Sequence, residues 1–191
     1  MYKRQSLGGL LTLRLSEEFS EDISAQSLLA TPIHLQAWIH AVLPVVRYTP
    51  LRLLYRFQKK MDPDIKDPVA KKNYWTNAYM PVRCIHSLTK LQTKVKVDLA
   101  NVTAPTLIMH SRYDSTAPYE SMNYIAKNIS SKITETITLE NCFHILTLDY
   151  EKDPIFFEIL VRVTDQHGAY YEKPFFVSVL NEVEDLDEDG V

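Results

Sequence analysis

The sequence predicts an α/β fold built on parallel strands, and two strand-like stretches with a helix between them carry that prediction. Residues 106–110 form a short apolar run that ends in a polar turn with Asp114 at its tip. Residues 135–140 alternate polar and apolar side chains, with β-branched residues in the middle, and His144 follows them. The stretch between carries a proline and then a glutamate, which suit the first turn of a helix. Parallel strands joined in this way place Asp114 and His144 at one sheet edge, where open α/β sheets hold their functional groups.

A serine near the start of the chain supplies a candidate nucleophile. Ser6 is followed by Gly8, Gly9 and a leucine-rich stretch at residues 7–19 that predicts a helix. In the G-x-S-x-G nucleophile elbow a serine lies between a strand and a helix, and small residues relieve the crowding around it. Arg4 stands where the first glycine of that motif belongs.

The order Ser6, Asp114, His144 is the order of the catalytic residues in α/β-hydrolases. With these residues the chain resembles the C-terminal two-thirds of an α/β-hydrolase of the carboxylesterase and monoacylglycerol-lipase type. The most specific matches are residues 105–114, together with the proline that follows them, and residues 139–149.

The resemblance covers roughly residues 6–163 and implies a domain organisation. Strands six to eight of the hydrolase sheet, with their flanking helices, would lie in an incomplete core at residues 6–32 and 96–164. A helical cap would be inserted at residues 33–95. Residues 165–191 are an acidic C-terminal tail to which no function is assigned.

The cap segment lacks strand alternation and is punctuated by prolines. Helices are predicted at residues 34–43, 50–60, 69–80 and 81–94, and a closing helix at residues 154–161. Six apolar residues of the cap are candidates either for an acyl-binding pocket or for the cap's own core: Trp38, Leu51, Leu53, Leu54, Tyr55 and Phe57.

Residues 1–5 resemble the translation of a sequencing adapter, so we set them aside as a cloning scar. A scar would explain Arg4 in place of glycine. We then expect the chain to be a fragment cut within the elbow, with five strands and a second oxyanion-hole donor upstream. Such a fragment would be inactive or severely impaired.

The chemistry implied by these residues is nucleophilic catalysis. His144 would take the proton from the Ser6 hydroxyl, because an imidazole titrates near neutrality. Asp114 would hold the imidazole in the correct tautomer and stabilise the imidazolium. The backbone N–H of Leu7 would stabilise the oxyanion. His110 lies within the predicted strand before Asp114 and is expected to be buried.

Composition argues against several other classes of protein. The net charge of -3, with lysine and arginine scattered, gives no argument for a nucleic-acid partner. No apolar run approaches the roughly 20 residues that cross a bilayer. Two cysteines, Cys84 and Cys142, are too few for a disulfide framework, and the histidines lack metal-ligand spacing. We therefore expect a cytoplasmic protein without cofactor or metal, and leave its oligomeric state open.

The predicted function of the parent protein is hydrolysis of medium-chain acyl esters or monoacylglycerols through an acyl-enzyme on Ser6. Two alternatives stay open. The fold also hosts lactonases, thioesterases and peptidases, and fold does not fix function. The chain could also be a degenerate hydrolase-like module that only binds a partner.

Overall fold

The computed structural model describes residues 2–36, 57–59, 62–153, 155, 160–164 and 170–174. In chain order the strands are β1 (Tyr2–Gln5), β2 (Gln26–Leu29), β3 (Phe57–Lys59), β4 (Tyr79–Pro81), β5 (Thr106–Ser111), β6 (Thr134–Leu139), β7 (Leu160–Thr164) and β8 (Tyr170–Pro174). The α-helices are α1 (Leu7–Glu18), α2 (Pro68–Asn73), α3 (Val82–Asp98) and α4 (Glu120–Asn128), with short 3-10 helices at Ser20–Asp22, Leu99–Asn101 and Leu146–Leu148.

The central sheet contains four strands in the order β1-β2-β5-β6, and every neighbouring pair is parallel. All four residues of β2 are buried, as are five of the six residues of β5, as expected of parallel strands covered on both faces. The predicted parallel α/β sheet is therefore confirmed. Because the strands run in the same direction, their C-terminal ends meet at one edge.

Apolar side chains pack on both faces of this sheet, because successive residues of a strand point to opposite sides. Leu28 and Ile108 belong to a cluster formed with the apolar sides of α1, α3 and α4. Their chain neighbours, Leu29 and Met109, belong to a second cluster, which includes Cys142 and residues after β6. Helix packing on one face and loop packing on the other thus fix the strand ends that carry the site.

The N-terminal residues take part in this sheet. Tyr2–Gln5 pair in register with Gln26–Leu29, and α1 begins one residue after Ser6. Setting residues 1–5 aside from the fold is therefore corrected, because the backbone groups of β1 complete the hydrogen-bond ladder along β2. Their suggested origin as an adapter scar stays a prediction.

The cap segment is only partly helical where the structure describes it. Phe57–Lys59 and Tyr79–Pro81 pair as antiparallel strands, so the helices predicted over 50–60 and 69–80 are wrong there. This pairing joins residues about twenty positions apart, and local propensity carries no record of it. Helix α2 begins at Pro68, with Asp67 as its N-cap. Of the helix predicted at 69–80, residues 69–73 lie in α2, whereas residues 74–78 are not helical, so the prediction is wrong there too. Residues 50–56 and 60, and most of the predicted helix 34–43, lie outside the described residues.

Helix α3 matches the helix predicted at residues 81–94 but runs on to Asp98. It therefore crosses the predicted boundary between cap and core at residue 95. Val95, in the last turn of α3, and Leu99, directly after the helix, are buried in the cluster that includes α1. The last turn of α3 thus completes the core, which explains why the helix runs past residue 94.

Beyond residue 155 the structure describes one antiparallel pair, β7 with β8. The closing helix predicted at 154–161 is wrong at Leu160 and Val161, which lie in β7, where β-branched residues recur at alternate positions. Most of that predicted helix, and the acidic residues 182–189, lie outside the described residues. Among the described helices, none combines the length and the apolar character that a bilayer crossing requires.

Candidate active site

Ser6 lies in a sharp turn between β1 and α1. Its backbone has φ 55° and ψ -124°, a conformation that residues other than glycine rarely adopt. The turn is held at both ends, because the Ser6 N–H donates to the Leu29 carbonyl and the Ser6 carbonyl accepts from the Gly9 N–H. This is the strained strand-to-helix turn that the elbow motif predicts, and it forms with Arg4 in the place of the first glycine.

The second glycine after the serine is required by close packing. A Cβ atom added to Gly9 would lie 2.0 Å from Oγ1 of Thr31, which follows β2. Only a residue without a side chain lets α1 approach the loop after β2 this closely. The glycine thus fixes where the helix starts and, with it, where the Ser6 side chain points.

Three side chains from three separate loops form a continuous hydrogen-bonded chain. Ser6 Oγ lies 2.9 Å from His144 Nε2, and His144 Nδ1 lies 2.7 Å from Asp114 Oδ2. Both His144 and Asp114 are 7% exposed, so the pair is shielded from water. The structure therefore brings together the three residues that the sequence analysis selected, at the C-terminal edge of the sheet.

The Asp114 carboxylate has partners on both oxygens. Oδ1 accepts the backbone N–H groups of Thr116 and Ala117 at 2.8 and 2.7 Å, and Oδ2 faces His144. Burial raises the pKa of Asp114, but hydrogen bonds from His110, His144 and the Ala117 N–H outweigh it and lower the pKa to about 2. Asp114 is consequently an anion whenever His144 could act as a base.

A second imidazole contacts the same carboxylate. His110 is fully buried at the end of β5, as expected, and its Nε2 lies 3.3 Å from Asp114 Oδ2 and 3.1 Å from the Ala117 carbonyl oxygen. The sequence analysis placed His110 in the strand but missed this contact. Its spacing of four residues from Asp114 was the available signal, since a tight turn after a strand can fold such a pair together.

Comparison with known proteins gives the family. The family described as serine aminopeptidase, S33 matches residues 5–151, which is more than half of the chain. The chain belongs to this family. The match begins at Gln5 and extends past the Ser6 turn, both strand-end loops and His144.

Proteins similar to this chain include lipolytic enzymes. The thermostable monoacylglycerol lipase of Bacillus sp. strain H-257 is 29% identical over 164 residues, covering 86% of this chain and 62% of the lipase. One of the metagenome-derived lipolytic enzymes LipS and LipT superposes with a TM-score of 0.71 at 26% identity, covering 80% of this chain and 60% of that enzyme. A soluble variant of monoglyceride lipase from Saccharomyces cerevisiae gives a TM-score of 0.67 at 17% identity, covering 82% and 59%.

The chain therefore spans about 60% of the length of each of these three proteins. The yeast structure, below 25% identity, supports the fold alone. Together the comparisons establish an α/β-hydrolase fold of the S33 family, in agreement with the resemblance to the carboxylesterase and monoacylglycerol-lipase type.

In this S33 chain the residue before the serine also contacts the histidine loop. The Gln5 side chain donates from Nε2 to the His144 carbonyl oxygen at 3.1 Å and accepts from Thr147 Oγ1 at 3.0 Å. Gln5 therefore links the Ser6 turn to the loop that carries His144. The sequence analysis missed this contact because it set Gln5 aside.

A buried carboxylate organises the same loop from its other side. Asp149 is 1% exposed and accepts four backbone N–H groups at 2.8 to 2.9 Å. They belong to Lys66, Asp67, Phe143 and Tyr150. The donor from Phe143 is directly adjacent to His144, and those from Lys66 and Asp67 belong to the segment before α2.

The segment before α2 also reaches the loop that carries Asp114. Asp64 accepts from the Ser115 N–H at 3.0 Å and from Thr116 Oγ1 at 3.2 Å, and its carbonyl accepts from the Ile145 N–H. This part of the predicted cap is therefore joined by hydrogen bonds to both strand-end loops of the site.

Other candidates of the sequence analysis lie apart from this arrangement. Of the six apolar cap residues, Trp38, Leu51, Leu53, Leu54 and Tyr55 lie outside the described residues, and Phe57 is 62% exposed on β3. Cys142 is buried, which raises the pKa of its thiol and leaves it a poor nucleophile. The described residues contain no group of three or more His, Cys, Asp or Glu side chains that could hold a metal ion.

Proposed function

We propose that Ser6, His144 and Asp114 are the nucleophile, base and orienting acid of a serine hydrolase that cleaves carboxylic esters. The observation that carries this proposal is the unbroken chain of hydrogen bonds from Ser6 Oγ through both ring nitrogens of His144 to Asp114. A serine becomes a useful nucleophile only when a positioned base accepts its proton, and this geometry provides one.

In the first half of the reaction, Ser6 Oγ forms a bond to the ester carbonyl carbon while its proton moves to His144 Nε2. The carbonyl oxygen becomes an oxyanion, and the imidazolium is stabilised by the Asp114 carboxylate. The bond between the carbonyl carbon and the alcohol oxygen then breaks, and His144 returns the proton to the departing alcohol. The product is an ester of Ser6.

In the second half, water replaces the serine as nucleophile. The water oxygen bonds to the acyl carbon while His144 takes a proton from that water. His144 then gives the proton to Ser6 Oγ as the bond between Oγ and the acyl carbon breaks. The acid is released and the site returns to its starting protonation.

Leu7 is our candidate for one oxyanion donor. It is the first residue of α1, and the first four N–H groups of a helix have no acceptor within that helix. Its N–H lies next to Ser6 in the chain, where the oxyanion develops. One such donor contributes about 3 to 4 kcal/mol to transition-state stabilisation, which is about 10²- to 10³-fold in rate.

For the substrate we propose monoacylglycerols or other medium-chain acyl esters. The support is the activity of similar proteins: a monoacylglycerol lipase at 29% identity and a lipolytic enzyme at 26% identity. Because the chain spans less than two thirds of those proteins, activity of the whole protein is part of the proposal. The cytoplasmic location and the lack of a nucleic-acid partner remain predictions.

Capture of the acyl-enzyme tests the proposal on this chain, because one slow acylation of Ser6 is detectable by mass even where turnover is severely impaired. The protein is mixed with p-nitrophenyl butyrate, quenched, and analysed by intact mass and peptide mapping. We expect a butyryl group on Ser6 that is lost in Ser6→Ala and kept in Ser87→Ala, a matched serine exposed on α3. Equal labelling of Ser6→Ala and the unmodified protein would refute the assignment.

The same assay separates the alternatives. Release rates from acyl esters, thioesters, lactones and aminoacyl amides identify the bond that is cleaved, and a preference for the amide would favour peptidase activity. A cooperatively folded chain that forms no adduct with any of them would instead support a binding module.

A further inference from the structure

His110 has a fixed hydrogen-bonding role next to the Asp114 carboxylate. Its Nε2 lies 3.1 Å from the carbonyl oxygen of Ala117 and 3.3 Å from Asp114 Oδ2. A carbonyl oxygen can only accept, so Nε2 must carry the hydrogen. One N–H therefore serves two acceptors, and one of them is the oxygen that also faces His144.

The other ring nitrogen of His110 fixes the protonation state. Nδ1 is buried and has no hydrogen-bond partner among the described residues. In the neutral ring this atom is a lone pair, whereas in the imidazolium it would be a buried N–H with nothing to accept it. Leaving a charged donor unpaired costs more than leaving a neutral acceptor unpaired. His110 is thus a neutral ring protonated at Nε2.

We propose that His110 is a positioning residue that, through Asp114, holds the carboxylate in the orientation that His144 requires. This inference rests on the proposed function of Asp114 and extends it to a residue outside the serine, histidine and aspartate set. Oδ1 is held by two backbone N–H groups, and Oδ2 is held by the two imidazoles. Rotation of the carboxylate would break contacts on both oxygens.

The surroundings of His110 allow this role. His110 contacts Asp114 directly, and His144 lies on the far side of that carboxylate. The aromatic ring of Tyr119 meets the His110 ring edge-on, with the two ring centroids 6.2 Å apart. The guanidinium of Arg112 lies 5.1 Å from the centre of that same Tyr119 ring. Among the described residues, Asp114 is the charged group in direct contact with the His110 ring.

The electrostatic consequence is that the Asp114 carboxylate keeps its negative charge. Burial alone would raise the pKa of Asp114, and the hydrogen bond from His110 is the first of the interactions that lower it to about 2. A donor that remains neutral can disperse the negative charge without competing for the proton that His144 carries. His110 therefore helps Asp114 to remain an acceptor throughout the reaction.

The first test needs no substitution. Histidine labelled with ¹³C and ¹⁵N reports the tautomer of each ring by NMR, and we expect His110 to be neutral and protonated at Nε2 at neutral pH. A ring protonated at Nδ1, or at both nitrogens, would overturn the inference.

The second test separates the hydrogen bond from the shape of the ring. His110→Phe keeps a planar ring but removes the donor, whereas His110→Gln places an amide N–H near the position of Nε2. We expect His110→Phe to raise the pKa of Asp114 above its value of about 2. The ¹³C resonance of the Asp114 carboxyl group measures this pKa. The Ser6 acylation rate should fall about tenfold, as expected for one lost hydrogen bond to a charged group. His110→Gln should restore most of both quantities.

Tyr119→Phe is the matched control, because it keeps the ring that contacts His110, removes only the hydroxyl that bonds to Thr138, and leaves the contacts of Asp114 in place. It should leave the titration of Asp114 unchanged. If Asp114 has the same pKa in His110→Phe as in the unmodified protein, the inference is wrong. If Ser6 is never acylated but Asp114 titrates as expected, the proposed function fails and the contact between His110 and Asp114 stands.

Discussion

Ser6 combines a reactive position with a strained backbone. Its positive φ places the side chain at the tip of the turn, where it meets His144 at 2.9 Å. A residue other than glycine in this conformation costs about 1 to 2 kcal/mol. The surrounding contacts, from the Leu29 carbonyl to the Gly9 N–H, hold the turn in place against that cost.

This strain predicts that Ser6→Gly is more stable than Ser6→Ala. Both variants remove the hydroxyl and should form no acyl adduct, but only glycine relieves the positive φ. The relief is partly offset by about 0.4 to 1 kcal/mol from the greater freedom of glycine in the unfolded chain. We expect Ser6→Gly to exceed Ser6→Ala by about 0.5 to 1 kcal/mol in urea unfolding followed by circular dichroism. Equal stability would mean that the turn is not strained.

At this scale, the residues with a chemical signature could be predicted and their supports could not. Asp114 and His144 stand out because each follows a strand-like run, and Ser6 stands out because Gly8, Gly9 and a predicted helix follow it. His110 and Gln5 are ordinary polar residues in strands. The contact of Gln5 with the His144 loop depends on distant strands meeting at one edge, which local sequence does not encode. The contact of His110 with Asp114 depends on the shape of the turn after β5, which the spacing of four residues alone does not fix.

At the scale of elements, the site depends on loops held together by buried polar groups. The Asp149 carboxylate joins the His144 loop to the segment before α2, and Asp64 joins that segment to the Asp114 loop. The loops therefore form one hydrogen-bonded unit across the edge of the sheet. The four N–H groups that Asp149 accepts give its carboxylate a structural role in this unit.

Asp149→Asn tests this unit with almost no change of shape. Each carboxylate oxygen accepts two backbone N–H groups, so an amide NH₂ in place of either oxygen faces two donors. Each lost bond to the charge is worth about 1.5 to 3 kcal/mol, and we expect a loss of stability of at least about 2 kcal/mol. The acylation rate of the folded variant should also fall.

The matched control for that variant is Asp153→Asn, an exposed carboxylate four residues later. It should lie within about 0.5 kcal/mol of the unmodified protein, as surface substitutions usually do. An Asp149→Asn protein as stable as this control would show that the carboxylate does not hold the loops.

The elements divide in the same way between those that sequence predicts and those that it does not. Strands β5 and β6 were predicted to within one residue, because their pattern of apolar and β-branched residues is local. Strands β3 and β4 were predicted as helices, because only their pairing with each other makes them strands. Helix α3 was predicted too short, because its last turn is stabilised by α1 across the core.

At the scale of the whole molecule, a polar network joins the first helix to the third. Arg14 on α1 donates to Glu17 at 3.0 Å, to Glu18, and to Asp98 at the end of α3 at 2.8 Å. Glu17 is 8% exposed, and burial raises its pKa to about 7, although the hydrogen bond from Arg14 lowers it in part. The Arg14 network that joins the two helices thus includes a carboxyl group, that of Glu17, which takes up a proton near neutrality.

The stability of the chain should therefore have two pH-dependent limbs. The folded state holds the Glu17 proton up to about pH 7, whereas the unfolded chain releases it near 4.5, so stability falls as pH rises from about 4.5 to 7. Asp114 acts in the opposite direction: its folded pKa of about 2 lies below its unfolded value of 3.8, so stability falls as pH drops from 3.8 towards 2. We expect greatest stability between these limbs, near pH 4 to 5 as far as these two groups decide it.

Glu17→Gln isolates the upper limb, because an amide resembles the protonated carboxyl and cannot ionise. The variant should match the unmodified protein near pH 4.5 and be more stable at pH 8, as measured by urea unfolding at each pH. Glu21→Gln, an exposed carboxylate beyond the end of α1, is the control and should keep the decline. If Glu17→Gln loses stability between pH 4.5 and 8 as steeply as that control, the buried carboxyl does not titrate with folding and the Arg14 network is fully charged. A flattened limb would instead show that Glu17 holds its proton in the folded chain and releases it on unfolding.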